Sequence, residues 1–348
     1  RGLGDVYKRQ PPDIHGVFAT ATEYFEKCAE DARKAGLNVE VIMHSTASHT
    51  DFAGQVDIIE DFVANKVDCI IVSPADVEPM KPGIAEANRN NIPFIIVNLL
   101  EPIEGVDVTS FIGFDNSEAA EVSAYSVLDY LGGPGVLGEG EMIDNPPEYL
   151  DLEFWRDLYK DINPAESNIG GKLVLVEGLA GSFYSNTRLE GFHNVIDEYP
   201  GIEILATLPA DWTRERGVEV GEDILETYSD IDVIWSVSNE QGFGVLTAIE
   251  SAGRQDEIGF FTNDGTPESV QAIKDGRIVA ETWHGFPEWG WYGCKFGILG
   301  ALGLEDQIPY QFDIRPRTEY KGNADDFYPN VKLESIDWEE MIEQYNMQ

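Results

Sequence analysis

The chain has 348 residues, 43% of them hydrophobic, enough for two domains with separate cores. Its 64 acidic against 23 basic residues leave a formal charge of −41, which repels nucleic acid and anionic lipid and argues against a DNA-reading role. No apolar run approaches the roughly 18 to 20 residues that span a bilayer.

The first ten residues, RGLGDVYKRQ, carry Arg1, Lys8 and Arg9 and no apolar pattern. Asp5 to Gln10 reads as a translated sequencing adapter, so residues 1–10 are expected to be artefactual. From 19 to 35, Ala21, Phe25, Cys28, Ala29 and Ala32 form a helical stripe that Gly36 ends. A strand over 39–43 follows, then a helix over 52–65, a strand over 68–72, a helix over 80–90 and a strand over 94–97. Such alternation predicts a doubly wound parallel sheet.

A short strand at 110–113 leads to Ser117, suited to cap a helix over 118–131. The stretch 132–172 is turn-rich with one short helix at 152–159; it is read as a surface insertion, or as a lid or partner contact using Phe154 and Trp155. Strands at 173–176 and 202–208 alternate with helices at 187–197 and 214–228.

Two further units of apolar run, polar tip and amphipathic segment fill 231–285. The runs 233–237 and 258–261 lack apolar/polar alternation, as strands buried on both faces do. Ligands of open parallel sheets bind beyond the carboxyl ends of the strands, where helix N-termini present free N–H groups. Asn239, Asp264 and His284 are therefore expected to line one rim. A helix over 289–302 follows, and Trp338, Met341, Ile342 and Tyr345 mark an amphipathic last helix.

Cys28, Cys69 and Cys294 are scattered, and without a CxxC they suggest no structural zinc. Glu139, Glu141 and Asp144 cluster without the pattern of a calcium loop. No metal and no cofactor are expected. No GxGxxG follows a strand, and neither GxxxxGK[ST] nor GxSxG occurs, so the protein is read as a non-enzyme.

The segments PDIHGVFAT, VDCIIVSPAD, FIGFDNSEAA, GSFYSNTRLEGF, PADWTRERG, WSVSNEQGFG and FTNDGTPE occur in this order over 12–312. As an ordered set, they resemble the type I periplasmic binding proteins of the ribose-binding kind, the solute receptors of sugar ABC importers. The resemblance implies an α/β fold of two doubly wound parallel-sheet lobes joined by a three-strand hinge. The lobes would be 11–115 plus 286–313, and 116–285 plus 314–348, with an apolar strand naturally preceding Pro12. It further implies a monomer, periplasmic or extracellular, free or tethered as a lipoprotein, whose export signal is missing from this sequence. Such a receptor closes on a neutral sugar or polyol and hands it to the transmembrane subunits of an ABC permease.

Carried over by position, the resemblance gives a ligand site of His15, Phe18, Asn98, Asn186, Trp212, Asn239, Asp264 and His284. Phe18 and Trp212 would be plates for apolar sugar faces, and the amides and Asp264 would take hydroxyls. Simpler roles stand beside these: a core cover for Trp212, a loop position for His15, a hinge role for His284 and helix caps for Asn239 and Asp264. Arg188 is placed either in the site or behind it. Asn98-Leu99 stands where the ribose-binding pattern has an acid and an arginine, and Asn186 where it has a second arginine. Losing these bidentate donors argues against the same aldopentose geometry and against an anionic ligand. A ligand-sensing domain of a LacI-like regulator or chemoreceptor, and a receptor for a small cation, are the alternatives.

Overall fold

The short apolar runs of this chain supply most of the strands of two six-stranded sheets among the described residues. The computed structural model describes residues 7–10, 17–46, 48, 51–138, 140, 142–328 and 330–347. In chain order the first part gives β1 (Tyr7–Gln10), α1 (Val17–Lys34), β2 (Val41–Met43), α2 (Phe52–Ala64), β3 (Ile70–Val72), α3 (Val77–Arg89), β4 (Phe94–Val97) and β5 (Ser110–Gly113). Then come α4 (Asn116–Tyr130), α5 (Leu152–Tyr159), β6 (Gly171–Glu177), α6 (Phe183–Ile196), β7 (Ile202–Pro209) and α7 (Arg214–Thr227). They are followed by β8 (Val233–Ser236), α8 (Asn239–Ser251), β9 (Gly259–Asp264), α9 (Pro267–Lys274) and β10 (Ala280–Trp283). The chain continues through α10 (Phe286–Ala301), β11 (Gln311–Asp313), β12 (Arg317–Tyr320) and α11 (Trp338–Met347).

Two units result, 1–115 with 285–314 and 332–348, and 116–284 with 315–331. In the first, the order β11-β5-β4-β3-β1-β2 is parallel throughout. The backbone of Lys8 pairs with Ile42 on one side and Ile70 on the other, so the charged tetrapeptide Tyr7–Gln10 runs through the interior of the sheet. Helix α10 covers this sheet beside α1, and a Cβ on Gly290 would stand 2.1 Å from the carbonyl oxygen of Ala21. Only a glycine allows the two backbones so close.

The second sheet, β12-β10-β9-β8-β6-β7, is parallel except for β12, which runs antiparallel to β10. Its strands show why the apolar runs do not alternate. Leu173, Leu175, Val233, Trp235 and Phe261 enter one core with α4 and α6, while Val174, Val176, Ile234 and Phe260 enter another with α7, α8 and α9. Trp235 stacks on Phe192 at 4.1 Å between ring centroids. Each such fully buried aromatic contributes on the order of 2 to 3 kcal/mol through area removed from water.

Two expectations are corrected. The segment 132–172 is not a surface insertion around its helix. Val136, Leu137, Leu150, Leu152, Trp155, Tyr159 and Ile169 all belong to the buried core of the second unit. Trp155 is fully buried and its indole N–H donates to Thr318 Oγ1 at 2.9 Å. Phe154 packs edge-on against it at 5.0 Å rather than standing ready as part of a lid.

The tail is the second correction. Residues 315–331 belong to the second unit, but 332–348 return to the first. There Trp338 is buried and donates its indole N–H to Asp31 Oδ2 at 2.9 Å. The apolar stripe of α11 identifies a buried face without identifying its partner. Among the described residues, no helix is long and apolar enough to cross a membrane.

Candidate ligand-binding site

In the second unit, β8, β9 and β10 end side by side and bring three of the expected residues together. Asn239 is the first residue of α8, Asp264 the last of β9, and His284 follows β10. Asp264 Oδ2 accepts from Ser238 Oγ at 2.8 Å and from the backbone N–H of Asn239 at 2.7 Å. Ser238 is the N-cap of α8 but makes no side-chain cap bond. Asp264 instead satisfies that helix N-terminus from the neighbouring strand, placing a carboxylate where the helix dipole is positive. Its own following helix is capped by Thr266 and Ser269. The simpler role expected for Asp264, a cap for the segment it precedes, is corrected: Asp264 serves the start of α8, not α9.

His284 is fully buried, with Nδ1 3.1 Å from Asp264 Oδ1. Burial, reinforced by the guanidinium of Arg188, lowers its pKa to about 4 against the opposing pull of Asp264. At neutral pH the ring is uncharged; with Nδ1 donating to Asp264, Nε2 is an acceptor. A neutral amide, a carboxylate and a neutral imidazole form a set suited to hydroxyl groups.

Arg188 lies behind this rim. It is buried, with Nε donating to Asn116 Oδ1 at 3.0 Å and Nη1 to the Val237 carbonyl at 2.7 Å. Its guanidinium stands 5.7 Å from the ring centroid of Trp212. Trp212 is half-buried with φ +62, and its ring lies so close over Gly178 that a Cβ there would be 2.1 Å away. Gln241, which no motif in the sequence marks, fixes this turn. Its Oε1 accepts from Trp212 N at 3.1 Å while Nε2 donates to the carbonyls of Val176 and Glu177. Asn186 is exposed in the first turn of α6.

In the first unit, Phe18 is buried and meets Phe286 edge-on at 6.1 Å and Trp289 at 6.3 Å. Asn98 follows β4 with φ +70, and its Oδ1 has no hydrogen-bond partner among the described residues. His15 lies outside the described residues. Asn98, Trp212 and Asp264 all adopt positive φ, at 70°, 62° and 113°. Non-glycine residues are seldom held in this region, which Lys66, Asn91, Asp211 and Arg315 also adopt.

A family model described as a periplasmic binding protein domain matches residues 13–298. The chain belongs to this family. The ribose import binding protein of Bacillus subtilis is 24% identical to this periplasmic binding protein over 252 residues, covering 72% of the chain and 67% of the relative. The D-allose-binding periplasmic protein of Escherichia coli is 24% identical over 262 residues, covering 73% and 72%. Among solved structures, a periplasmic solute-binding protein of an ABC transporter from Actinobacillus succinogenes, with bound D-allose, superposes with a TM-score of 0.76 at 18% identity. That match covers 93% of this periplasmic binding protein and all of the other chain. A solute-binding protein from Bacillus halodurans with bound myo-inositol gives 0.72 at 21% identity, covering 95% and 99%. These likenesses establish the two-sheet fold of the binding protein independently of its rim residues.

Proposed function

We propose that this binding protein is the extracytoplasmic receptor of an ABC importer for a neutral sugar or polyol. The observation that carries the reading is the rim of Asn239, Asp264 and His284. It offers directed hydrogen bonds but no free cation for an anionic ligand. Trp212 beside it supplies an apolar face for ring C–H groups. Arg188 next to Trp212 makes that face unattractive to a cationic ligand. The sugars and polyol named for the relatives have the same chemistry.

Phe18 and Asn98 of the first unit and Asn186 of the second complete the proposed contacts, together with His15. A ligand that engages both units only in a closed form shifts the population toward closure, and a permease then reads that form. Delivery to transmembrane subunits, action as a monomer in the periplasm and tethering by a lipid belong to the same proposal.

A thermal-shift screen against pentoses, hexoses, inositols, deoxysugars and small quaternary amines tests it. Saturable stabilisation by one neutral polyhydroxy compound, lost in Trp212→Ala and Asp264→Ala, is the expected outcome. Stabilisation by amines alone would overturn the sugar reading. A smaller radius of gyration in scattering with that compound checks closure; unchanged dimensions would rule it out.

A further inference from the structure

Glu281 lies within β10, outside the site predicted from the sequence, and is 2% exposed. A carboxyl group so deeply buried is rare unless it is paired. Its Oε2 accepts from Asn239 Nδ2 at 3.0 Å and from the backbone N–H of Gly265 at 2.9 Å. Both donors belong to the rim, one from the start of α8 and one from the turn after Asp264.

Asn239 is 1% exposed, and its two amide ends are treated differently. Nδ2 is committed to Glu281 and, at 3.3 Å, to Thr266 Oγ1, whereas Oδ1 has no partner among the described residues. An asparagine amide turned by 180° has the same shape but exchanged donor and acceptor. Such a turn here would set the amide oxygen against the Glu281 oxygen, so the carboxyl group excludes that orientation.

We propose that Glu281 is a positioning residue that holds the Asn239 amide nitrogen inward and reserves Oδ1 as an acceptor for a ligand hydroxyl. This rests on the sugar-binding reading and deepens it: the ligand must carry a hydrogen-bond donor at the position that meets Asn239. An ether, fluoro or deoxy group there would leave a buried acceptor unpaired.

The charged groups around Glu281 support a role in either protonation state. Glu319 stands opposite it in the β10/β12 register, Arg317 lies on the same strand as Glu319, Asp264 ends the adjacent β9, and Lys274 of α9 acts on Glu319. Burial first, with Asp264 adding to it, pushes the Glu281 carboxyl up to about 7. Protonation at Oε1, which has no partner among the described residues, leaves Oε2 a carbonyl oxygen that still accepts both N–H groups. Glu281→Gln likewise keeps an accepting oxygen, whereas Glu281→Leu removes it.

The test combines an amide readout with ligand affinity. In protein labelled with 15N-asparagine, the Asn239 side-chain signal is assigned by its loss in Asn239→Ala. It should be protected from solvent exchange and shift with pH near neutrality in the wild type. It should stay protected but lose that pH dependence in Glu281→Gln, and lose protection in Glu281→Leu. Titration calorimetry uses D-ribose, D-allose, D-fucose and myo-inositol. For a compound that binds the wild type, Glu281→Gln should stay within about threefold and Glu281→Leu lose at least tenfold. One monofluoro analogue should lose at least tenfold, and that loss should vanish in Asn239→Ala. An amide that is unprotected in the wild type, or unchanged in Glu281→Leu, overturns the proposal. Should Glu281→Leu not fold, a signal in Glu281→Gln that still titrates like the wild type overturns it instead. If none of the four compounds binds, the sugar reading fails while the amide signals still decide the role of Glu281.

Discussion

His284 and Asp264 are tied twice across adjacent strands. The backbone N–H of His284 donates to the Asp264 carbonyl at 3.0 Å, and the side chains meet again at 3.1 Å between Nδ1 and Oδ1. The doubled link fixes the imidazole while burial keeps it neutral.

A pH dependence follows. The His284 pKa is about 4 in the folded protein, below the 6.5 of a free histidine, so between these values the unfolded chain binds more protons. Its stabilising contribution is complete above pH 6.5 and is lost as pH falls toward 4. His284→Gln should reduce that acid-side loss by on the order of 3 kcal/mol, read as a shallower fall in denaturation midpoint from pH 6.5 to 4. An identical slope in the variant would mean that the ring protonates normally.

Glu319 works in the opposite direction. It is fully buried, neither carboxyl oxygen has a partner among the described residues, and burial together with Glu281 raises its pKa well above the ordinary range. The contribution of such a group is present below pH 4.5 and lost as pH rises through its folded value. Glu319→Gln should therefore raise the melting temperature at pH 8, by several degrees for about 1 to 3 kcal/mol, and change it little at pH 4.5. Calorimetry at the two pH values distinguishes this from a uniform gain.

Gly178→Ala tests the seat of Trp212. The added methyl group would meet the indole at 2.1 Å, so the ring must move. Affinity for the sugar found in the screen should fall at least tenfold, with the melting temperature nearly unchanged. Retained affinity would remove Trp212 from the set of ligand contacts.

Trp155→Ala separates a core residue from a lid. Loss of a fully buried indole and its bond to Thr318 should destabilise the second unit by about 3 to 5 kcal/mol in urea denaturation. A surface lid residue would cost less than about 0.5 kcal/mol.

The strands legible in the sequence were those with unbroken apolar runs. Phe94–Val97 and Ser110–Gly113 fall at the expected positions, and Val233–Ser236 differs by one residue. β10 and β12 were not legible because their sequences, AETW and RTEY, carry glutamate and threonine that read as loop. Their threonines are buried through a seam that only tertiary structure forms. Ser123 meets Asn263 and Thr282, and Ser126 meets Thr318.

The rim was legible because residues at strand tips stand just after apolar runs, as Asn239 and Asp264 do. Its supports were not. Gln241 and Glu281 reach their partners across strands, over sequence separations that no local pattern encodes. Helix α8 starts at Asn239 itself, with Ser238 as its N-cap, one residue before the cap position that the sequence suggests.

The close seating of Gly290 of α10 on Ala21 of α1 bears on how a nascent chain acquires this shape. Strands β1 to β5 leave the ribosome first, but α10 and β11 follow only after the whole of 116–284. The second unit can therefore assemble most of its sheet while apolar surface on α1, β3 and β4 still awaits its cover. During that interval the growing polypeptide presents an unfinished hydrophobic face, the form in which chaperones and aggregation compete for it.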